Sequence, residues 1–180
     1  GAPEAAATRY HLDLAERRAQ VLHVSARFDG VIGRSLDVHL PVWRTGLYRV
    51  LDPVGTVSEL RAETADGTPL EVVQTAASSW RVRRPDAAPG PVVVRYLVDA
   101  LSLSDRTRHV DADHAFVNPA PVLVYADGYR DRPLEVRVDL PPGWEAASGL
   151  AQPEPGLLVA PDYDRLVDSP MEFGAFDTVS

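Results

Sequence analysis

Neither cysteine nor lysine occurs anywhere in the chain. Without cysteine there is no disulfide, no thiol nucleophile and no thiolate metal ligand, and no redox clue to compartment. Without lysine all 18 basic side chains are arginines, scattered among 26 acids with no basic stripe. Arginine suits bidentate pairing with carboxylates, but a formal net charge of −8 is the wrong footprint for a nucleic-acid partner. No apolar run approaches the roughly 18 residues that a membrane-spanning helix needs. No charged start followed by an apolar core marks a signal peptide. A glycine-rich phosphate loop, a Gly-x-Ser-x-Gly elbow and a His-Glu-x-x-His pair are all lacking. Their absence removes the usual signals for nucleotide binding, α/β-hydrolase chemistry and a thermolysin-like zinc centre.

What the chain does have is period-two alternation. "YHLDL" at Tyr10 to Leu14, "LDVHL" at Leu36 to Leu40, "WRVR" at Trp80 to Arg83 and "LEVRVDL" at Leu134 to Leu140 put apolar side chains on one face and polar ones on the other, the pattern of half-buried strands. "VLHVSARF" repeats it, with Leu22, Val24, Ala26 and Phe28 on one face. "PVVVRYLV" at Pro91 to Val98 is nearly continuous in apolar residues, as expected of a central strand covered on both faces. Asp66-Gly67, Pro89-Gly90, Asp127-Gly128, Pro142-Gly143 and Pro155-Gly156 supply turns between such runs. The 16 prolines and 12 glycines spread along the chain oppose long helices. Short helical turns are expected only around "TGLYRVL" and "DYDRLVD", the second capped by Asp162 and stopped by Pro170. The pattern predicts an all-β fold, an antiparallel β-sandwich or saddle-like open sheet with one or two short helical turns. Trp80, Val93, Tyr96, Val136 and Val138 are expected in its core. At 180 residues one domain is expected, over residues 9–176, behind an unordered start at residues 1–8.

The densest chemistry lies in "RTRHVDADHAFVNPAPVLVY", residues 106–125. Read as one extended run, His109, Asp111 and Asp113 point to one side and His114 to the other. Read as a helix, the histidine spacing of five is poorer than the i, i+4 pair that grips a metal. No metal site is therefore expected in this chain. The acidic pairs Asp111/Asp113 and Asp162/Asp164 read as turn and cap residues, since nothing in the sequence separates their pKa values for acid/base work.

Four blocks occur in order: "LPVWRTGLYRVLD", "HVDADHAFVNPAPVLVY", "PPGWEAASGL" and "DYDRLVDSPMEFGAF". Together, from about Arg9 to Phe176, they resemble the N-terminal domain of the glycyl aminopeptidase family of zinc metallopeptidases. In that family a β-domain precedes a thermolysin-like catalytic domain and a PDZ domain. The last block is the most specific. The first departs from the family's usual Trp-Thr-Pro-Gly-Ser-Tyr, because Trp43 is followed here by Arg44, Thr45, Gly46, Leu47 and Tyr48.

The resemblance implies that the chain itself is not catalytic and binds no cofactor. Zinc and the glutamate base would sit in a catalytic domain beyond a linker that starts at residues 177–180. That domain is the expected partner, with Phe116, Tyr125, Met171 and Phe173 as an exposed interface and a homodimer as a way of hiding the same patch. Asn118 can offer its amide oxygen to a peptide's free amine, with Asp111 and Asp113 as an acidic rim that attracts it. Taken alone, Asn118 reads more readily as a turn residue ahead of Pro119. A stand-alone β-sandwich that binds protein or carbohydrate is the alternative. Compartment stays open between bacterial cytoplasm and periplasm, with an exported origin compatible with the Gly-Ala-Pro start.

Overall fold

A computed structural model describes residues 7–15, 21–41, 57–99, 108–110, 114–117, 119 and 122–175. The alternating runs are strands. β1 (Thr8–Asp13), β2 (Val21–Val31) and β3 (Ser35–His39) are followed by β4 (Val57–Glu63), β5 (Pro69–Ala76), β6 (Ser79–Arg83) and β7 (Gly90–Asp99). A hairpin of β8 (Arg108–Val110) and β9 (His114–Val117) comes next, then β10 (Tyr125–Ala126) and β11 (Leu134–Asp139). β12 (Glu145–Ser148), β13 (Ala151–Glu154), β14 (Leu157–Ala160), the helical turn α1 (Tyr163–Val167) and β15 (Met171–Gly174) complete the described elements.

Eleven strands form one open mixed sheet in the order β10-β3-β6-β5-β4-β7-β2-β1-β11-β14-β13. The near-continuous run of β7 is its middle strand, with Val92, Val93 and Val94 all buried. All neighbours pair antiparallel except β1 and β11, which run parallel from Thr8↔Leu134 to Asp13↔Asp139. Register lines up one apolar face: Tyr10 lies opposite both Ala26 and Val136, and Val24 lies opposite both Leu12 and Tyr96. Trp80, Tyr96, Val136 and Val138 belong to the contiguous core. Val93 is buried as well, but on the opposite face, where its cross-strand partners are Arg27 and Glu63. That second face is polar, crossed by pairs such as Arg95–Glu63 at 2.7 Å and Arg27–Asp29 at 2.8 Å. Exposed pairs of this kind each contribute little, on the order of 0–1 kcal/mol.

A second sheet, β12-β15-β9-β8, is antiparallel throughout, and its Val117, Met171 and Phe173 join the same core. Asp162 caps α1 by accepting the Arg165 amide at 2.8 Å, as its position before "YDRLV" predicts. The "TGLYRVL" turn lies outside the described residues. One expectation needs correction. Met171 and Phe173 are fully buried in this chain, because alternation along β15 turns both toward the core, so their side chains present no exposed patch. Of the two readings weighed for the histidine run the structure shows neither alone: His109 and His114 lie on separate antiparallel strands, with His109 opposite Phe116.

One turn gives a sharp test of local geometry. Pro155-Gly156 joins β13 to β14 with Gly156 at φ +79°, and a Cβ there would lie 2.9 Å from the Val138 carbonyl oxygen. The Gly156 carbonyl also accepts the Val138 amide at 2.8 Å, tying the turn to β11. Gly156→Ala is therefore expected to cost about 2–4 kcal/mol, left-handed strain plus a displaced backbone contact. Gly128→Ala, at φ +86° but with open space around it, is expected to cost about 1 kcal/mol. Urea unfolding of the two variants checks this, and equal losses would contradict the close contact.

Candidate functional site

The segment Val122–Val124 is irregular backbone with no exposed surface. Buried peptide groups outside a ladder must find partners elsewhere, and here tyrosine hydroxyls supply them. Tyr10 of β1 donates to the Val124 carbonyl at 2.6 Å, Tyr96 of β7 to the Val122 carbonyl at 2.5 Å, and Tyr163 of α1 to the Leu123 carbonyl at 2.5 Å. The Tyr96 oxygen also accepts the Val124 amide at 3.1 Å. Upstream, the Val122 and Leu123 amides both donate to the Pro119 carbonyl, at 3.0 and 2.8 Å. Three rings from distant parts of the chain thus meet on one short stretch. Burial pushes the phenol pKa of Tyr10, Tyr96 and Tyr163 well up, and mutual repulsion of phenolates adds to the rise at Tyr10 and Tyr163. At neutral pH all three are therefore hydroxyl donors.

The segment leads directly into edge strand β10, whose Tyr125 is half-buried and sits in an aromatic and polar cluster. Its ring centroid lies 5.3 Å from that of His39 and 5.0 Å from that of Tyr163, with the Arg130 guanidinium 5.0 Å from the ring centre. Arg130 pairs with Asp164 at 3.0 Å, a hydrogen bond that raises the Arg130 pKa. His39 Nδ1 lies 2.7 Å from Ser79 Oγ and His39 Nε2 lies 3.0 Å from Asp127 Oδ1. This is a serine–histidine–aspartate chain found without any elbow motif. Its ring nitrogens are used in the reverse sense to a serine hydrolase, where Nδ1 faces the aspartate, and the Asp127 side chain is 65% exposed. It acts as a tie joining β3 and β6 to the turn that follows β10. Next to it the Arg81 guanidinium grips Asp37 at 2.8 and 3.2 Å and holds its carboxyl below the usual range.

Of the residues singled out in the sequence, Asp111, Asp113 and Asn118 lie outside the described residues. Phe116 is placed by its backbone in β9, opposite Glu172 of β15. Tyr125 alone among the four expected interface side chains is described and partly open to solvent, since Met171 and Phe173 are internal. Sequence reasoning missed Tyr10 and Tyr163 as anchors and saw Tyr96 only as core. The available signal was a tyrosine, rather than phenylalanine, at inward positions of an alternating strand, where a buried hydroxyl needs a partner. Among the described residues no group of three or more His, Cys, Asp or Glu side chains converges as a metal site requires. A shallow hollow of about 350 Å³ lies elsewhere, lined by Val57, Glu59, Leu60, Val72, Gln74 and Trp80, among others.

The described residues form an open, almost wholly antiparallel all-β domain. A family model, the Peptidase M61 N-terminal domain, matches residues 9–175. The chain belongs to this family: it is a peptidase N-terminal domain. Among solved structures it is similar to an aminopeptidase N family protein from Idiomarina loihiensis, with a TM-score of 0.80 and 28% identity over 93% of this chain. An M1 zinc metallopeptidase from Deinococcus radiodurans aligns over 93% of the chain at 18% identity and a TM-score of 0.49. The chain spans 29% of the length of the first and 41% of the second. No match is found among curated proteins.

Proposed function

We propose that this domain serves a zinc aminopeptidase of the glycyl aminopeptidase type, PDZ-containing as a whole, by packing on its catalytic domain and walling the substrate cleft. The chemistry of peptide hydrolysis, with zinc and a general base, is assigned to the catalytic domain. Among the described residues of this chain no three His, Cys, Asp or Glu side chains come together. The observation that supports a cleft role best is the tyrosine-held segment. Burying irregular backbone and satisfying it from three separate elements costs conformational entropy, and the backbone so held begins four residues beyond Asn118 in the chain. On this reading the Asn118 amide oxygen receives the substrate's ammonium, Asp111 and Asp113 lend the cleft its negative rim, and Phe116 and Tyr125 lie toward the catalytic domain.

The test uses the full-length peptidase and glycine- and alanine-linked chromogenic substrates. Asn118→Ala is expected to lower kcat/KM by about tenfold or more, the loss of one hydrogen bond to a charged group, with zinc content and thermal stability unchanged. An unaltered kcat/KM would remove the cleft-wall role and leave only a scaffold.

A further inference from the structure

We infer that Tyr10, Tyr96 and Tyr163 are positioning residues for the peptidase reaction: their hydroxyls fix the backbone of Val122–Val124 and so set where the stretch from Pro119 to Tyr125 meets the rest of the enzyme. The inference rests on the cleft-wall reading and names the groups that make it work.

Four observations carry it. The segment has no sheet partner at Val122, Leu123 and Val124, and its three carbonyls are each taken by a different tyrosine. Those tyrosines come from β1, β7 and α1, separated from their acceptors by 114, 26 and 40 residues, so the clamp exists only in the folded domain and resists displacement in more than one direction. Tyr96 is both donor and acceptor on this stretch, which fixes the peptide planes as well as the distance. All three rings are buried among apolar neighbours, where phenylalanine would fill almost the same volume. The hydroxyls are therefore explained by the backbone they hold. Beside the clamp, the Pro119 carbonyl accepts the Val122 and Leu123 amides, and the Tyr125 ring centroid lies 5.0 Å from that of Tyr163.

The experiment compares Tyr96→Phe, Tyr10→Phe and Tyr163→Phe in the full-length peptidase with Tyr129→Phe. Tyr129 likewise donates its hydroxyl to a backbone carbonyl, that of Asp29, but away from the segment, so it reports what loss of a tyrosine hydrogen bond does by destabilisation alone. At a temperature where every variant is folded, Tyr96→Phe is expected to lower kcat/KM by about tenfold, within the roughly hundredfold that an ångström-scale misplacement can cost. Tyr129→Phe is expected to leave kcat/KM within about twofold, as a remote stability change does. In the Asn118→Ala background the Tyr96→Phe effect should vanish, since the group it positions is gone. Equal losses in Tyr96→Phe and Tyr129→Phe, or no loss in any clamp variant, would overturn the positioning role. If Asn118→Ala alone changes nothing while Tyr96→Phe still lowers kcat/KM, the Asn118 reading fails and the positioning role stands through another group of the segment. Should Tyr96→Phe not fold, Tyr163→Phe removes one hydrogen bond instead of two and gives the same comparison.

Discussion

Raising the pH above about 10, the ordinary tyrosine pKa, is expected to unfold this domain cooperatively before its central tyrosines ionise. Tyr10, Tyr96 and Tyr163 all have folded-state pKa values raised above the ordinary tyrosine value, with burial as the first cause in each. A group whose pKa is raised on folding stabilises the fold fully below its unfolded pKa. That contribution is lost as pH climbs from the unfolded value toward the folded one, because the unfolded chain releases its proton first. Each such tyrosine removes about 1.4 kcal/mol per pH unit in that window, and three together roughly 4 kcal/mol per pH unit. Against a total stability on the order of 5–15 kcal/mol, one or two pH units suffice. Loss of β-sheet circular dichroism and growth of tyrosinate absorbance, followed in one alkaline titration, should coincide for these rings. If all six tyrosines of the chain titrate near their ordinary pKa while the dichroism stays native, the buried clamp is not formed. Tyr163→Phe should flatten the pH dependence, since it removes one of the groups whose pKa the fold raises.

Phe173→Ala is expected to destabilise the isolated chain by about 3–5 kcal/mol, the range for truncating a buried phenylalanine. The ring is fully buried, and its neighbours across β15 are Ala146 and Ala115. Two alanines have no side-chain length with which to collapse into the space, so the cavity persists and the loss falls toward the upper end. Equilibrium urea unfolding of the 180-residue chain measures it. A loss under about 1 kcal/mol, the size of a surface substitution, would mean that the ring faces outward and needs the catalytic domain to cover it. The same experiment therefore separates a core residue from the interface residue that its place near the junction suggests.

Phe173 also shows where a one-dimensional reading stops. Period-two alternation located five of the fifteen strands described, β1, β2, β3, β6 and β11, because each half-buried strand of that length carries its own inside and outside. For the same reason "PVVVRYLV" was legible as a central strand, and it is the middle of eleven. The α1 turn was legible from Asp162, whose capping partner is three residues away. By contrast "MEFG" is four residues long, and its two apolar positions read equally well as core or as exposed junction. Only pairing with β9 and β12 settles the question.

The same limit applies to the site. Asn118 and the acids near it were visible as residue types, whereas the tyrosine clamp joins positions as far as 114 residues apart, and no local pattern encodes such a meeting. The parallel pairing of β1 with β11 and the Ser79–His39–Asp127 tie are of that kind too. By itself the sequence determined the all-β class, the turn positions, the one described helical turn and the absence of thiol or lysine chemistry, because these follow from composition and from neighbours a few residues away. Tertiary structure alone decided which strands pair, that the apolar residues of β15 face inward and which hydroxyls hold the Val122–Val124 backbone. Those outcomes depend on contacts between distant segments, whose free energy exists only once the sheet has assembled.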